Sequence, residues 1–246
     1  MSQKHRVAIV TGSAAGIGRA VAWKLAERGY ALTVNYSKSK AEAEETADGV
    51  CSRGAELRLI QANVGDDAAV RAMVSATVEH FGGLDILVNN AATTHFVPHT
   101  DLDGLTEQVW DSILQVNVKG TFYGCRAAMP HLKARNGNIV NIASVAGISG
   151  GGSSVAYAAS KGAVITLTKS LARAFAPEVR VNAVAPGPVQ TRWLADHQDM
   201  VADAMKATPL KRPATADDVA DVVVFLSDVT SLMTGQVVVI DGGRTI

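Results

Sequence analysis

The sequence predicts an α/β chain forming a single domain over residues 1–246, with a doubly wound, mostly parallel sheet of seven strands and helices on both faces. Three observations predict it. Short β-branched runs alternate with longer segments of helical spacing along the whole chain. The strand-like runs are apolar throughout, as in a sheet covered on both sides. A glycine-rich turn joins the first run to the first helical segment. A length of 246 residues suits one such domain and is short for two.

The elements follow in order. Residues 7–10 read as a strand, and the helical pattern after them runs from 16 to 28 and stops at Gly29, a residue suited to a C-terminal cap. Residues 31–36 are a strand and 40–53 a helix. Residues 57–60 are a strand, and 66–81 a helix whose acidic start suits its dipole. Residues 84–89 are a strand, followed by one long helical pattern over 106–133. Residues 138–142 are a strand, and an apolar helix opens at Ser154 and runs to about Ala176. Residues 179–184 and 236–240 are the last strands, with a helix over 215–226 between them. The least regular stretch, 187–213, is expected to cover a substrate site, because connections this long in compact domains often do so.

Composition narrows the function. Formal net charge is zero and basic residues are scattered, so charge favours no nucleic acid partner. No apolar run nears the ~20 residues of a membrane span, and residues 1–6 carry charge without the apolar core of a leader, so no membrane association and a cytoplasmic location are expected. Cys51 and Cys125 stand far apart without a Cys/His grouping, so neither a disulfide framework nor a metal site is expected.

The turn Thr11-Gly12-Ser13-Ala14-Ala15-Gly16-Ile17-Gly18 carries the first chemistry. Its glycines admit a ligand close to the backbone, and the helix N-terminus behind it offers N–H groups and positive dipole to a pyrophosphate. The sheet is therefore Rossmann-like, although the spacing is GxxxGxG rather than GxGxxG. An acid at the end of the second strand would bind the 2′-hydroxyl of NAD and repel a 2′-phosphate. The chain has Asn35, Tyr36, Ser37 and Lys38 there, with no acid before Glu42. Neutral donors and Lys38 favour NADP(H), with NAD(H) as the alternative; the competing reading of Lys38 is an ordinary solvated residue. Position 15, where a cation would add a second phosphate contact, is Ala15.

The second chemistry lies in Tyr157 and Lys161, four residues apart and so on one helix face. A phenol beside a fixed ammonium can act as an acid whose anion the cation stabilises; alone, the pair reads equally as an aromatic and a lysine on a half-buried helix. Other segments accompany it: Asn89-Asn90-Ala91-Ala92 at the fourth strand end, Asn117 before Val118-Lys119-Gly120, Ser144 after the fifth strand, and Pro186-Gly187-Pro188-Val189-Gln190-Thr191 after the sixth.

In this order, these motifs resemble the short-chain dehydrogenase/reductase family over nearly the whole chain, through Asp241-Gly242-Gly243, nearest its 3-oxoacyl-[acyl-carrier-protein] reductase branch. The resemblance implies Tyr157 as general acid or base, Lys161 as the residue that holds the nicotinamide ribose and lowers the tyrosine pKa, Ser144 at the substrate oxygen, and Asn117 positioning a water. It places Val189 and Thr191 at the carboxamide, Pro186 and Gly187 at the nicotinamide face, Asn90 with Ala91 near the adenosine ribose, and Asn63 with Val64 at the adenine. Asn63 departs from the aspartate common at that position, and Asn141 and Asn182 read as structural.

Substrate-contact candidates are Thr94, His95, Ser149 and Trp193 beside Ser144 and Tyr157, with Thr93, Phe96, Ile148, Gly150, Gly151 and Leu194 as further pocket residues. The expected activity is NADPH-dependent reduction of a ketone, foremost a 3-oxoacyl thioester of acyl-carrier protein or CoA. A dehydrogenase of a secondary alcohol or sugar is the second reading, and a cofactor sensor without turnover is a third, opposed by the intact Ser144, Tyr157 and Lys161. Lys133, Arg135 and Arg173 are the basic residues that could meet an acidic carrier protein, against a plain solvated role. The resemblance also implies a homotetramer.

Overall fold

The computed structural model describes residues 6–246, so the leader reading of residues 1–5 lies outside it. The apolar runs form β1 (Arg6–Val10), β2 (Tyr30–Tyr36), β3 (Leu57–Gln61), β4 (Ile86–Asn89), β5 (Asn138–Ile142), β6 (Arg180–Pro186) and β7 (Val237–Ile240). They make one seven-stranded sheet in the order β3-β2-β1-β4-β5-β6-β7, parallel at every junction. The helices are α1 (Gly16–Glu27), α2 (Lys40–Cys51), α3 (Asp67–Phe81), α4 (Glu107–Leu114), α5 (Thr121–Lys133), α6 (Ala146–Ser149), α7 (Val155–Phe175), α8 (Gln198–Ala207) and α9 (Ala216–Val224).

Alternate residues of each central strand feed two cores. Ala8, Val10, Leu32, Ile86 and Val140 pack with Leu25 of α1, Val50 of α2 and Val223 of α9. Val7, Ile9, Leu87 and Ile139 pack with Met73 of α3, Leu132 of α5 and Ala172 of α7. A fully buried Leu or Ile contributes roughly 1.5–3 kcal/mol, so these two faces supply most of the drive to fold. The chain winds from β1 outward to β3, then returns to β4 on the other side. Helices leave β1 and β4 in opposite directions, which opens a crevice at their carboxyl ends.

Two expected helices differ in detail. The pattern over 106–133 is not one helix: Gln115–Gly120 forms a π-helical turn between α4 and α5. Gly120 lets this turn approach the β3–α3 connection, since a Cβ there would lie 3.0 Å from both Val64 Cγ2 and the Val64 carbonyl oxygen. The last helix likewise ends at Val224 and continues as a π turn, Phe225–Val229. The irregular stretch contains a 3₁₀ turn, Arg192–Leu194, and α8. No described helix is long and apolar enough to cross a membrane.

Candidate active site

A cavity of about 1100 Å³ runs along the carboxyl ends of the strands. Each connection that leaves the sheet there contributes to its wall: Gly12 after β1, Ser37 and Lys38 after β2, Asn63 and Val64 after β3, Asn90 and Ala91 after β4, Ser144 after β5, and Gly187, Val189 and Thr191 after β6.

At one end lies the glycine turn. Gly12 has φ +60, and a Cβ on it would sit 2.7 Å from the Ala91 Cα, so glycine alone meets both demands. The turn is tied down from three sides. Asn35 Oδ1 accepts from the Gly12 N–H (3.1 Å), and its amide donates to the Ala62 carbonyl (3.0 Å). Asn90 donates to the carbonyls of Thr11 and Gly12, both at 2.9 Å. The Ser13 hydroxyl donates to the Val10 carbonyl (2.7 Å). Beyond the turn, α1 has Ala15 at its N-cap position and so no side-chain cap. Its first N–H groups and dipole therefore face the cavity, where Ala15, Gly16 and Ile17 form part of the wall.

At the other end α7 begins. The buried Ser154 hydroxyl caps it by accepting the Tyr157 N–H (3.2 Å), which fixes the first turn and the direction of the phenol. Tyr157, Lys161 and Ser144 all line the cavity. Burial pushes the Tyr157 phenol up to about 12, and a hydrogen bond with Ser144 acts against that rise. Lys161 is 3% exposed, and burial pulls its ammonium down to about 8. Its Nζ donates to the Ile142 carbonyl (2.8 Å) and stands 5.7 Å from the Tyr157 ring centre. The expected lowering of the tyrosine pKa is thus outweighed by desolvation, and the opposing interaction comes from Ser144 rather than Lys161.

Asn117 lies behind this wall. Its Oδ1 accepts from the Thr93 N–H (2.8 Å), and its amide donates to the Thr93 carbonyl and the Ser160 hydroxyl, both at 3.0 Å. Its own carbonyl accepts from the Thr121 hydroxyl (2.8 Å). The π turn thereby pins the loop after β4 to the tyrosine helix.

A family model described as enoyl-(acyl carrier protein) reductase matches residues 12–245. The 3-oxoacyl-[acyl-carrier-protein] reductase FabG of Staphylococcus aureus is 41% identical over 244 residues, covering 96% of each chain. The chain belongs to the short-chain dehydrogenase/reductase family. A Streptomyces violaceoruber protein whose name assigns it to the granaticin polyketide synthase as ketoacyl reductase 2 is 44% identical, covering 96% of this chain and 95% of that one. A crystal structure from Burkholderia xenovorans described as a short-chain dehydrogenase/reductase superposes with a TM-score of 0.93 at 35% identity, covering 99% of each chain.

As a short-chain dehydrogenase/reductase the protein is an NAD(P)-dependent oxidoreductase, and its cavity fits that group of cofactors. The uncapped start of α1 supplies N–H groups for a pyrophosphate, and Gly12, Ala15, Gly16 and Ile17 stand on the cavity wall beside it. Most residues predicted for the site lie on the cavity wall. Ser13, Gly18, Asn117 and Thr94 do not. Ser13 is held by Val10, and Gly18 packs against the turn, where a Cβ would be 2.7 Å from the Gly12 carbonyl oxygen. Thr94 shares its hydroxyl with Ser153 at 2.5 Å. Asn35 reaches the wall, but its side chain is spent on scaffolding, so the open donors after β2 are those of Ser37, Lys38 and Ser39.

Of the substrate-contact and pocket candidates, His95, Ser149 and Trp193 line the cavity, together with Thr93, Phe96, Gly151 and Leu194, and Ile148 and Gly150 do not. Trp193 and Tyr157 have ring centres 6.3 Å apart, and Phe96 stacks on His197 at 3.6 Å. Arg192 and α8, both within the stretch 187–213 expected to cover a site, also border the cavity, as does Ser153; neither Arg192 nor Ser153 was singled out by residue from the sequence. An arginine directly after Thr191 was the available signal. The basic residues considered for a carrier protein are elsewhere. Arg135 pairs with Asp85 (2.8 Å) just before β4, and Lys133 pairs with Glu178 (3.4 Å) just before β6, at the amino ends of the strands.

Proposed function

We propose that the protein is an NADPH-dependent carbonyl reductase acting on a 3-oxoacyl thioester, with the whole chain as one catalytic unit and residues 187–213 covering the substrate. The observation that carries this reading is one cavity with Ser144, Tyr157 and Lys161 at one end, and the glycine turn with Lys38 at the other. The dinucleotide, when bound, supplies a hydride to the carbonyl carbon. The uncapped α1 start and the Gly12 turn would hold its pyrophosphate, Asn63 and Val64 its adenine, Lys38 its 2′-phosphate, and Val189 and Thr191 its carboxamide.

The protein's own residues then serve the carbonyl oxygen. Ser144 donates a hydrogen bond to it, and Tyr157 gives it a proton as charge accumulates there. A phenol held up at about 12 carries its proton throughout neutral pH and so has one to give. Lys161 keeps a cation beside the phenolate left behind and restores the balance of charge. Asn117 acts by tying Thr93, on the cavity wall, to the buried Ser160 of the helix that carries Tyr157.

The position of Lys133 and Arg135 adds no support for docking of an acyl-carrier protein at the cavity mouth, so CoA thioesters are the first substrates to test. A homotetramer is part of this reading. Val239 of the edge strand β7 and Leu232 in the loop before it expose apolar side chains, as do Phe225 and Val229 in the turn after α9, in keeping with a covered surface.

The test measures turnover of acetoacetyl-CoA, simple ketones, sugars and secondary alcohols with each dinucleotide, for wild type and Tyr157→Phe. We expect NADPH-driven reduction of acetoacetyl-CoA to lead, and to fall about 10²–10⁴-fold in the variant while NADPH binding changes little. Wild-type turnover in the variant would remove Tyr157 from the acid role, and NADPH binding without turnover of any substrate would favour the sensor.

A further inference from the structure

Arg192 belongs to the segment after β6, yet its guanidinium acts at the far side of the cavity. One of its nitrogens donates to the Ser39 hydroxyl (3.0 Å), and another pairs with the Glu42 carboxylate. Ser39 is the N-cap residue of α2, next to Lys38. Ser37, Lys38, Ser39 and Arg192 all line the cavity. The segment is drawn across because Thr191 comes close to the glycine turn: a Cβ on Gly16 would be 3.3 Å from the Thr191 Cγ2.

Three observations leave a phosphate at this end of the cavity dependent on the arginine. Position 15 contributes a methyl group and no charge. Asn35 is committed to Gly12 and Ala62. Glu42 places a carboxylate within reach of the same region, and it would oppose a phosphate dianion if left to itself. Lys38 alone would then balance one unit of charge among three. With Arg192 present the cations number two, and its planar donors suit two phosphate oxygens.

We propose that Arg192 is a specificity-determining residue for the 2′-phosphate of NADPH, exchanging its Glu42 partner for that phosphate. The proposal rests on the cofactor reading above and adds a residue to it. Glu42 is the competing ligand that holds the guanidinium in place, so removing its charge should help a phosphate, whereas removing the arginine should both delete a contact and uncover a repulsive carboxylate.

The test is equilibrium binding by calorimetry, without substrate, of NADPH, NADH, adenosine 2′,5′-bisphosphate and adenosine 5′-monophosphate. Wild type, Arg192→Leu, Arg192→Lys and Glu42→Gln are compared. Arg192→Leu is expected to weaken NADPH and the bisphosphate about tenfold or more while NADH and the monophosphate change less than about threefold. Arg192→Lys should lie between, and Glu42→Gln should tighten NADPH. Equal weakening of NADPH and NADH would overturn the proposal, because the guanidinium would then serve the pyrophosphate or the covering segment. So would an NADPH preference that survives Arg192→Leu, and in that case the cofactor reading still stands. A wild type that binds NADH as tightly as NADPH removes the cofactor reading itself, and the proposal with it.

Discussion

Lys161 illustrates a cost that chemistry imposes on a fold. Its ammonium is almost fully buried, with the Ile142 carbonyl as its hydrogen-bond acceptor. Its pKa falls from 10.5 to about 8 because the charged form is poorly solvated there. Below pH 8 both folded and unfolded chains carry the proton, and the folded chain bears the whole penalty, about 3 kcal/mol from the size of the displacement. Between pH 8 and 10.5 the unfolded chain binds more protons, so stability gained through this residue rises with pH. Tyr157 works in the opposite sense, since a phenol raised to about 12 loses stability only as pH climbs above 10. Lys161→Met should therefore be more stable than wild type at pH 7, with the gap narrowing towards pH 10. Denaturant titrations at several pH values check this, and a gap that widens with pH contradicts it.

At the level of elements, α7 is placed by its first turn. Ser154 is buried, and its hydroxyl has one backbone N–H to satisfy, that of Tyr157. Ser154→Ala should lower stability by about 1–2 kcal/mol and reduce kcat more than it weakens NADPH binding, because the phenol loses its anchor while the glycine turn is untouched. Chemical denaturation with steady-state kinetics reads both. The strands and most helices were legible because uninterrupted apolar runs and 3.6-residue stripes report burial directly. The π turn at Gln115–Gly120 was not, since one extra residue in a turn alters the hydrogen-bond register and leaves the apolar stripe intact. Ser144, Tyr157 and Lys161 were legible from their spacing and order, and the structure gathers them on one wall. Asn35 was read as an open donor because position at a strand end does not reveal side-chain direction, and every residue of β2 is buried. Arg192 escaped notice because its partner Glu42 is 150 residues away.

Over the whole molecule, the sheet order sets what can cooperate. The chain reverses between β1 and β4, so cofactor-facing and substrate-facing loops rise from neighbouring strand ends and share one cavity. At the opposite margin β7 leaves an edge, with Val239 40% exposed and Leu232 97% exposed. A bare apolar edge of this kind invites pairing with another chain. Leu232→Asp combined with Val239→Asp should convert the proposed tetramer into a smaller species in size-exclusion chromatography with light scattering. An unchanged mass would place the contacts between subunits elsewhere.

Trp193 has one further consequence. Trp23 packs against the core beside Arg53, and Trp110 lies against Ile113 and Ala156, whereas Trp193 faces Tyr157 on the cavity wall. Its indole therefore emits light from the wall of the cavity proposed to take the reduced nicotinamide. Under the proposed cofactor reading, binding of the reduced dinucleotide should dim this indole, and its recovery should time the loss of the reduced nicotinamide by oxidation or departure.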